Sequence, residues 1–131
     1  MKLSRIFTCA LLITVLTLSI QPLSSIAGAS TMYTYTSYSY AGLSIDSDNT
    51  ATVSGSVYAS SSSYSISGSL YLLQYKNGSW VTYKSWTTVT GTGSLAISRT
   101  CTVASGYSYK SKFVTNVNGE IVTKYSAENE I

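Results

Sequence analysis

The sequence predicts an all-β fold, a single antiparallel two-sheet sandwich of about seven strands. Apolar residues alternate with Ser and Thr along much of the chain after residue 40, which is the period-2 pattern of half-buried strands. After residue 30, no segment keeps apolar residues at helical spacing. Asn-Gly occurs twice between alternating segments and signals a hairpin, because both residues tolerate positive φ. Short strands with regular turn signals in about 100 residues are typical of a sandwich.

The first 29 residues predict a secretory signal peptide. Two basic residues precede a mostly apolar run at 6–20, and a Gln-Pro pair ends that run. Cleavage after the small residues 27–29 would leave a chain that starts at Ser30 and keeps 131 − 29 = 102 residues. The apolar run is shorter than the roughly 20 residues that span a bilayer. We therefore expect a secreted, extracellular protein with no membrane span after cleavage.

Residues 30–39 form a Tyr-rich N-terminal arm ahead of a predicted domain at 40–131. Residues 31–40 contain two pairs of tyrosines, which are out of phase by one residue. The pairs are Tyr33 with Tyr35, and Tyr38 with Tyr40. A single strand would point the pairs to opposite sides, so we expect one pair under the sheet edge and the other on a mobile arm. Low charge and high β-propensity also let such a segment add to another sheet edge, which predicts self-association through the arm.

The first predicted strands follow from alternation. They cover residues 43–45, 51–57 and 66–72, and the third continues up to the Asn77-Gly78 turn. Residues 46–49, DSDN, also begin like a calcium loop, but the Gly and distal Glu of a full loop are absent. Asp and Asn make good turns by bonding their own backbone, so we expect a turn and no metal site here.

The later strands are predicted in the same way. The chain returns through residues 80–89, alternates again at 95–101, and forms a second hairpin from 107–117 and 120–128 around Asn118-Gly119. This gives seven strands in all.

The segment GYSYKSKFVTNVNGEIVTKYS, residues 106–126, resembles the last two strands of fibronectin type III and related immunoglobulin-like modules. In these modules a Gly-x-x-Tyr step enters the sixth strand, and Gly106 and Tyr109 match that step. The resemblance implies that the Tyr109 hydroxyl bonds back to the backbone as a corner tyrosine. The segment YLLQYKNGSWVTYKSW, residues 71–86, is similar to the third and fourth strands of small secreted Gram-positive bacterial sandwich proteins. Such folds host many functions, so the resemblance implies little about activity.

Composition argues against catalysis and against nucleic acid. The chain has no histidine, so it lacks the usual base near neutral pH and the commonest metal ligand. Its five carboxylates lie on turns and the tail, where we expect no catalytic cleft. Removing the two basic residues of the signal peptide lowers the net charge from +3 to 6 − 5 = +1, too little for a nucleic-acid surface. We therefore predict a protein that is not an enzyme and needs no cofactor.

Cys101 is the single cysteine of the predicted mature chain, so it has no internal partner. Free cysteine is among the most buried residue types, which favours a small hydrophobe in a strand. The alternative is a reactive thiol or an intermolecular disulfide.

The hairpin around Asn77-Gly78 provides the candidate site. A two-residue turn would place Tyr75 opposite Trp80, Leu73 opposite Thr82, Tyr71 opposite Lys84, and Ser69 opposite Trp86. One face would then carry mainly aromatic residues and the other mainly aliphatic ones. The first set is Tyr71, Leu73, Tyr75, Trp80 and Trp86; the second is Leu70, Leu72, Val81 and Tyr83. The aliphatic face looks more like sandwich interior, but a single bulge would swap the faces.

If the aromatic face points outward, it predicts a binding surface, because exposed clusters of Tyr and Trp are rare without a partner. We expect a non-catalytic module that binds a protein or a glycan through Tyr71, Tyr75, Trp80 and Trp86, with Lys84 as a polar anchor. The alternative for these rings is the core. Two other functions stay open: a self-assembling extracellular structural protein, and a small secreted toxin or antimicrobial.

Overall fold

The structure is a computed structural model that describes residues 32–131. Residues 33–131 form one compact unit. The predicted signal peptide at 1–29 and the first two residues of the predicted arm lie outside the described residues, so export stays a prediction.

All the regular elements of residues 32–131 are β-strands. Their bounds are β1 (Thr36–Ile45), β2 (Thr50–Ala59), β3 (Ser65–Lys76), β4 (Ser79–Ser85), β5 (Val89–Thr92), β6 (Ser94–Thr102), β7 (Ser108–Val117), β8 (Glu120–Tyr125) and β9 (Asn129–Glu130). Nine strands appear instead of about seven because two predicted strands stop early and a short strand follows each. The predicted strand 80–89 stops as β4 at Ser85, and β5 follows at Val89–Thr92; both pair with β3. The predicted strand 120–128 stops as β8 at Tyr125, and β9 follows beyond it at Asn129–Glu130; both pair with β7.

The strands form two antiparallel sheets. One sheet has the order β1-β2-β6; the other has the order β4-β3-β7-β8, with β5 added to β3 and β9 added to β7. The predicted all-β, two-sheet antiparallel sandwich is confirmed. We call the β1-β2-β6 sheet the three-stranded sheet and the other sheet the six-stranded sheet.

The predicted turns are confirmed by backbone geometry. Asn77 and Gly78 both have positive φ (52° and 81°), as do Asn118 and Gly119 (49° and 91°). Two consecutive positive φ angles give the turn whose twist suits a tight hairpin. The 46–49 segment is also a turn, closed by a 3.0 Å hydrogen bond from the Asp46 N–H to the Thr50 carbonyl.

The core lies between the sheets around the ring of Phe113, which is fully buried on β7. Two glycines make room for it. A Cβ on Gly55 of β2 would lie 2.5 Å from the ring, and a Cβ on Gly68 of β3 would lie 2.9 Å from it. Since carbon atoms cannot approach so closely, a glycine at each position lets the ring fill the space between the sheets.

The corner tyrosine expected from the resemblance is present at the start of β7. The fully buried Tyr109 hydroxyl donates to the Ala104 carbonyl at 2.8 Å and accepts from the Ala104 N–H at 3.1 Å. It also accepts from the buried Gln74 amide at 2.9 Å. The hydroxyl thereby ties the loop before β7 to the edge of the core.

The N-terminal segment is held by Glu120, the first residue of β8. Its carboxylate accepts the backbone N–H groups of Thr34, Tyr35 and Thr36 at 2.8, 3.1 and 2.9 Å. Desolvation acts to raise the pKa of Glu120, but these hydrogen bonds outweigh it and hold the pKa below its usual value. β1 starts at Thr36, so residues 36–39 of the predicted arm lie in the sandwich.

The four tyrosines of residues 33–40 have different surroundings. Tyr35 packs edge-on against Tyr64 at 5.3 Å and against the core. Tyr38 and Tyr40 are two residues apart on β1, and both are half exposed on its outer side. Tyr33 lies against the Lys124 ammonium at 5.6 Å.

Candidate functional site

The candidate site lies on the outer face of the six-stranded sheet. On β3, Leu70 and Leu72 point into the core, so the alternation of a strand directs Tyr71, Leu73 and Tyr75 outward. The predicted pairs of Tyr75 with Trp80 and of Leu73 with Thr82 are both present. The Tyr75 and Trp80 rings lie 5.3 Å apart and are tilted by 59°. The β3 part of the aliphatic face, Leu70 and Leu72, is therefore interior, and the aromatic side of β3 points to solvent. Val81 and Tyr83 of the predicted aliphatic face lie on the edge strand β4 and are 41% and 40% exposed, so their placement in the interior is wrong.

The predicted register is wrong beyond Leu73, because the pairing of β4 with β3 shifts there by one residue. Leu73 pairs with Thr82 and Leu72 pairs with Lys84, which leaves Tyr83 as an extra residue. Tyr71 consequently pairs with Ser85 instead of Lys84. A one-residue bulge reverses the direction of every side chain that follows it.

The shift removes two of the five predicted site residues from the aromatic face. The Trp86 N–H bonds to the carbonyl of the inward-facing Leu70 at 3.1 Å, and the Trp86 ring is partly buried against the core. Lys84 now lies opposite the inward-facing Leu72 on an edge strand and is exposed to solvent. The prediction that Trp86 and Lys84 share the outward face with Tyr71, Tyr75 and Trp80 is therefore wrong.

Lys84 instead lies near Cys101, the free cysteine of β6. Burial raises the pKa of the Cys101 thiol, and the Lys84 ammonium lowers it by a smaller amount. Cys101 is partly buried and packs against the core, in line with the structural role expected for it.

Two lysines that the sequence reasoning missed enter the site from β7. Lys112 pairs with Tyr71, and Lys110 pairs with Leu73. The Lys110 ammonium lies 4.3 Å from the centre of the Trp80 ring and 4.9 Å from that of Tyr125, on β8. The Lys112 ammonium lies 5.5 Å from the Tyr71 ring. We call this surface the aromatic-lysine face; it comprises Tyr71, Tyr75, Trp80, Lys110, Lys112 and Tyr125.

The aromatic-lysine face exposes rings above an apolar floor. Leu73 is only 8% exposed although it points outward, so its neighbours cover it. Tyr75 is 45% and Tyr125 is 52% exposed. Each cation–π contact at an exposed site contributes about 0.5–1 kcal/mol, enough to orient rings and ammonium groups without fixing them.

A hollow of about 340 Å³ adjoins this face at one end of the sheet. It is lined by Tyr75, Trp80, Ser108 and Glu128. Ser108 pairs with Tyr75 across β3 and β7, and Glu128 directly precedes β9, which pairs with Ser108. The hollow thus combines two rings, a hydroxyl and a carboxylate.

The outer face of the three-stranded sheet carries a second group of tyrosines. Tyr38 of β1 pairs with Tyr58 of β2, and their rings lie 6.0 Å apart. Tyr40 lies over Gly42, where an added Cβ would come within 2.9 Å of its ring. These three tyrosines are each about half exposed; we call them the tyrosine patch.

Among residues 32–131, no helix is long and apolar enough to cross a membrane. The same residues bring together no group of three or more Cys, Asp or Glu side chains that could hold a metal ion.

The structural likeness that comparison with known proteins gives is weak. No family model and no curated protein matches the sequence. Among solved structures, the chain is similar to Spo0M, a sporulation control protein from Bacillus subtilis, with 12% sequence identity and a TM-score of 0.30. The similar region covers 71% of this chain and 48% of Spo0M, so the chain spans about half the length of that protein. A likeness of this size carries no argument about function.

Proposed function

We propose that the protein is a secreted, non-catalytic binding module that holds a protein or a glycan on its aromatic-lysine face. Export rests on the sequence pattern of residues 1–29. The absence of histidine from the sequence and the few carboxylates favour binding over catalysis.

We further infer that the sandwich is of the fibronectin type III or immunoglobulin-like kind. If β4 and β5 count as one interrupted strand, and β8 and β9 as another, seven strands remain, with three in one sheet and four in the other. The hydrogen bonds of Tyr109 to Ala104 support the same inference, because a corner tyrosine is a feature of such sandwiches.

The aromatic-lysine face is the observation that carries the binding proposal. Its rings combine a large apolar area with hydrogen-bonding tips and lose little side-chain entropy when they are fixed. The other outward positions of β3 hold Ser65, Ser67 and Ser69. A strand face that only meets solvent can therefore consist of small polar residues and needs no aromatic ones. Four rings gathered around two ammonium groups therefore favour a partner with both apolar and polar groups.

The proposal is tested by replacing Tyr75 and Trp80 together with alanine and measuring binding on glycan and protein arrays. The matched control replaces Tyr38 and Tyr40 of the tyrosine patch. Since each hot-spot ring contributes about 1–2 kcal/mol or more, we expect binding to fall more than tenfold in the first variant and to persist in the control. Unchanged binding in a folded first variant would remove this face from consideration.

A second candidate function is self-assembly, which the tyrosine patch favours. Exposed tyrosines on the outer face of a sheet provide apolar area for a second copy of the chain. We expect concentration-dependent oligomers in analytical ultracentrifugation that Tyr38→Ser with Tyr58→Ser abolishes. Sedimentation as a monomer at all concentrations would exclude this candidate.

A further inference from the structure

We propose that the hollow beside the aromatic-lysine face is a subsite for one neutral hexopyranose ring of a glycan. The inference rests on the proposed binding function and gives it a ligand class. It draws on three observations: the two rings of the hollow, its carboxylate together with the ammonium group next to Trp80, and its size.

The rings of Tyr75 and Trp80 provide a stacking surface. They form a V of 59° with their centres 5.3 Å apart, and Tyr75 is 45% exposed. A pyranose presents a face of C–H groups that packs on an aromatic ring, while its hydroxyl groups point sideways around the rim. Since Tyr and Trp keep a polar tip beside an apolar ring, they suit such a two-sided ligand.

The charges around the hollow favour a neutral ligand. Glu128 lines it, and the Lys110 ammonium lies 4.3 Å from the centre of the Trp80 ring. A carboxylate or phosphate ligand would meet the Glu128 carboxylate, and a quaternary ammonium stacked on Trp80 would lie near the Lys110 ammonium. Like charges at close range are unfavourable, so each charged class is opposed by one of these groups.

Sugar hydroxyl groups can bond to the polar groups that line the hollow. One hydroxyl can donate to the Glu128 carboxylate, and another can donate to or accept from the Ser108 hydroxyl. Because hydrogen bonds to charged groups are about twice as strong as neutral ones, this arrangement orients a ring that the aromatic residues hold less specifically.

The size of the hollow fits one ring. Its volume of about 340 Å³ lies at the lower end of the roughly 300–1,000 Å³ of small-molecule sites. The adjacent rings of Tyr71 and Tyr125 continue along the same outer face, where further sugar units can lie. An oligosaccharide with one unit in the hollow is therefore the expected ligand.

The first measurement is a fluorescence titration of the purified full-length protein carrying Trp86→Phe, which leaves Trp80 as its single tryptophan. The probes are neutral tetrasaccharides of glucose, mannose and N-acetylglucosamine, with tetragalacturonate and choline as charged comparators. We expect at least one neutral probe to change Trp80 emission saturably below about 10 mM, and the charged probes to bind more weakly. No response to any neutral tetrasaccharide, or tighter binding of a charged probe, would overturn the proposal.

The second measurement compares two acidic residues. Glu128→Gln should weaken binding of the responding tetrasaccharide about three- to tenfold, because a neutral acceptor replaces a charged one. Glu130→Gln removes the same charge next to the hollow and should leave binding unchanged. Equal effects of the two variants would refute the role of Glu128.

The two proposals can fail separately. Suppose that no sugar binds, and that a protein on the array binds the wild type but not the Tyr75 and Trp80 double variant. The sugar subsite is then wrong and the binding function stands. If that double substitution changes no binding at all, the binding function itself is wrong.

Discussion

Replacing Tyr109 with phenylalanine removes one oxygen atom from a fully buried side chain and leaves the ring in place. That oxygen makes three hydrogen bonds: two with the backbone of Ala104, at 2.8 and 3.1 Å, and one with the Gln74 amide, at 2.9 Å. The substitution therefore tests how much the corner tyrosine stabilises the sandwich apart from its packing.

The loss in the free energy of unfolding depends on whether the groups that bond to the Tyr109 hydroxyl are exposed or buried. Ala104 is exposed, so water can replace the lost bonds to its backbone, and their net contribution is about 1 kcal/mol. Gln74 is only 6% exposed, so its amide is left without the Tyr109 acceptor, at a cost of about 1–2 kcal/mol. We expect the free energy of unfolding to fall by about 2–3 kcal/mol in total.

The assay is urea unfolding of four proteins: wild type, Tyr109→Phe, Gln74→Leu and the double variant. In a domain of this size the Tyr109→Phe loss corresponds to a fall in Tm of roughly 10–20 °C. In the Gln74→Leu background the buried amide is absent, so Tyr109→Phe should cost only about 1 kcal/mol. A loss below about 0.5 kcal/mol, or an equal loss in both backgrounds, would refute this reasoning.

Three further predictions concern the core, the N-terminal segment and the thiol. Gly55→Ala should lower the free energy of unfolding by about 1–3 kcal/mol, because its Cβ would lie 2.5 Å from the Phe113 ring; denaturant unfolding measures this, and a neutral effect would contradict it. The pKa of Glu120 is lowered in the folded state, so its stabilisation is present above the unfolded pKa of about 4.3 and is lost as pH falls through the folded pKa. Amide hydrogen exchange of residues 34–36 should therefore rise relative to β3 on acidification, and Glu120→Gln should remove this pH dependence. Burial raises the pKa of Cys101, so iodoacetamide should alkylate it more slowly at pH 8 than free cysteine, and Lys84→Ala should slow it further; a rate equal to that of free cysteine would contradict the prediction.

The fold was predictable because its signals are local. Alternation marked the strands, and the Asn-Gly pairs marked both hairpins, whose positive φ angles the structure confirms. The corner bond of Tyr109 followed from a resemblance of a few residues. The interruptions after β4 and β8 left no comparable signal, since Ser, Thr and Ala in those stretches suit both strands and loops.

The candidate site was predictable only in part. Tyr71, Tyr75 and Trp80 belong to one hairpin, so a turn type was enough to bring them together. Lys110 and Lys112 reach the same face through the pairing of β3 with β7, which joins residues far apart in the sequence. Their alternation with buried Tyr109 and Phe113 places both lysines on the outward face of β7, but alternation alone does not show which strand lies next to it.

The extra residue at Tyr83 explains why one edge strand can serve both sides of the sheet. Before the bulge, β4 sends Trp80 outward to Tyr75; after it, the chain sends Trp86 inward to Leu70. Without the extra residue, a regular strand would place both tryptophans outward and leave the space beside Leu70 unfilled. A bulge also twists an edge strand away from pairing with another molecule. The one-residue bulge therefore directs Trp86 into the core and separates it from the aromatic-lysine face.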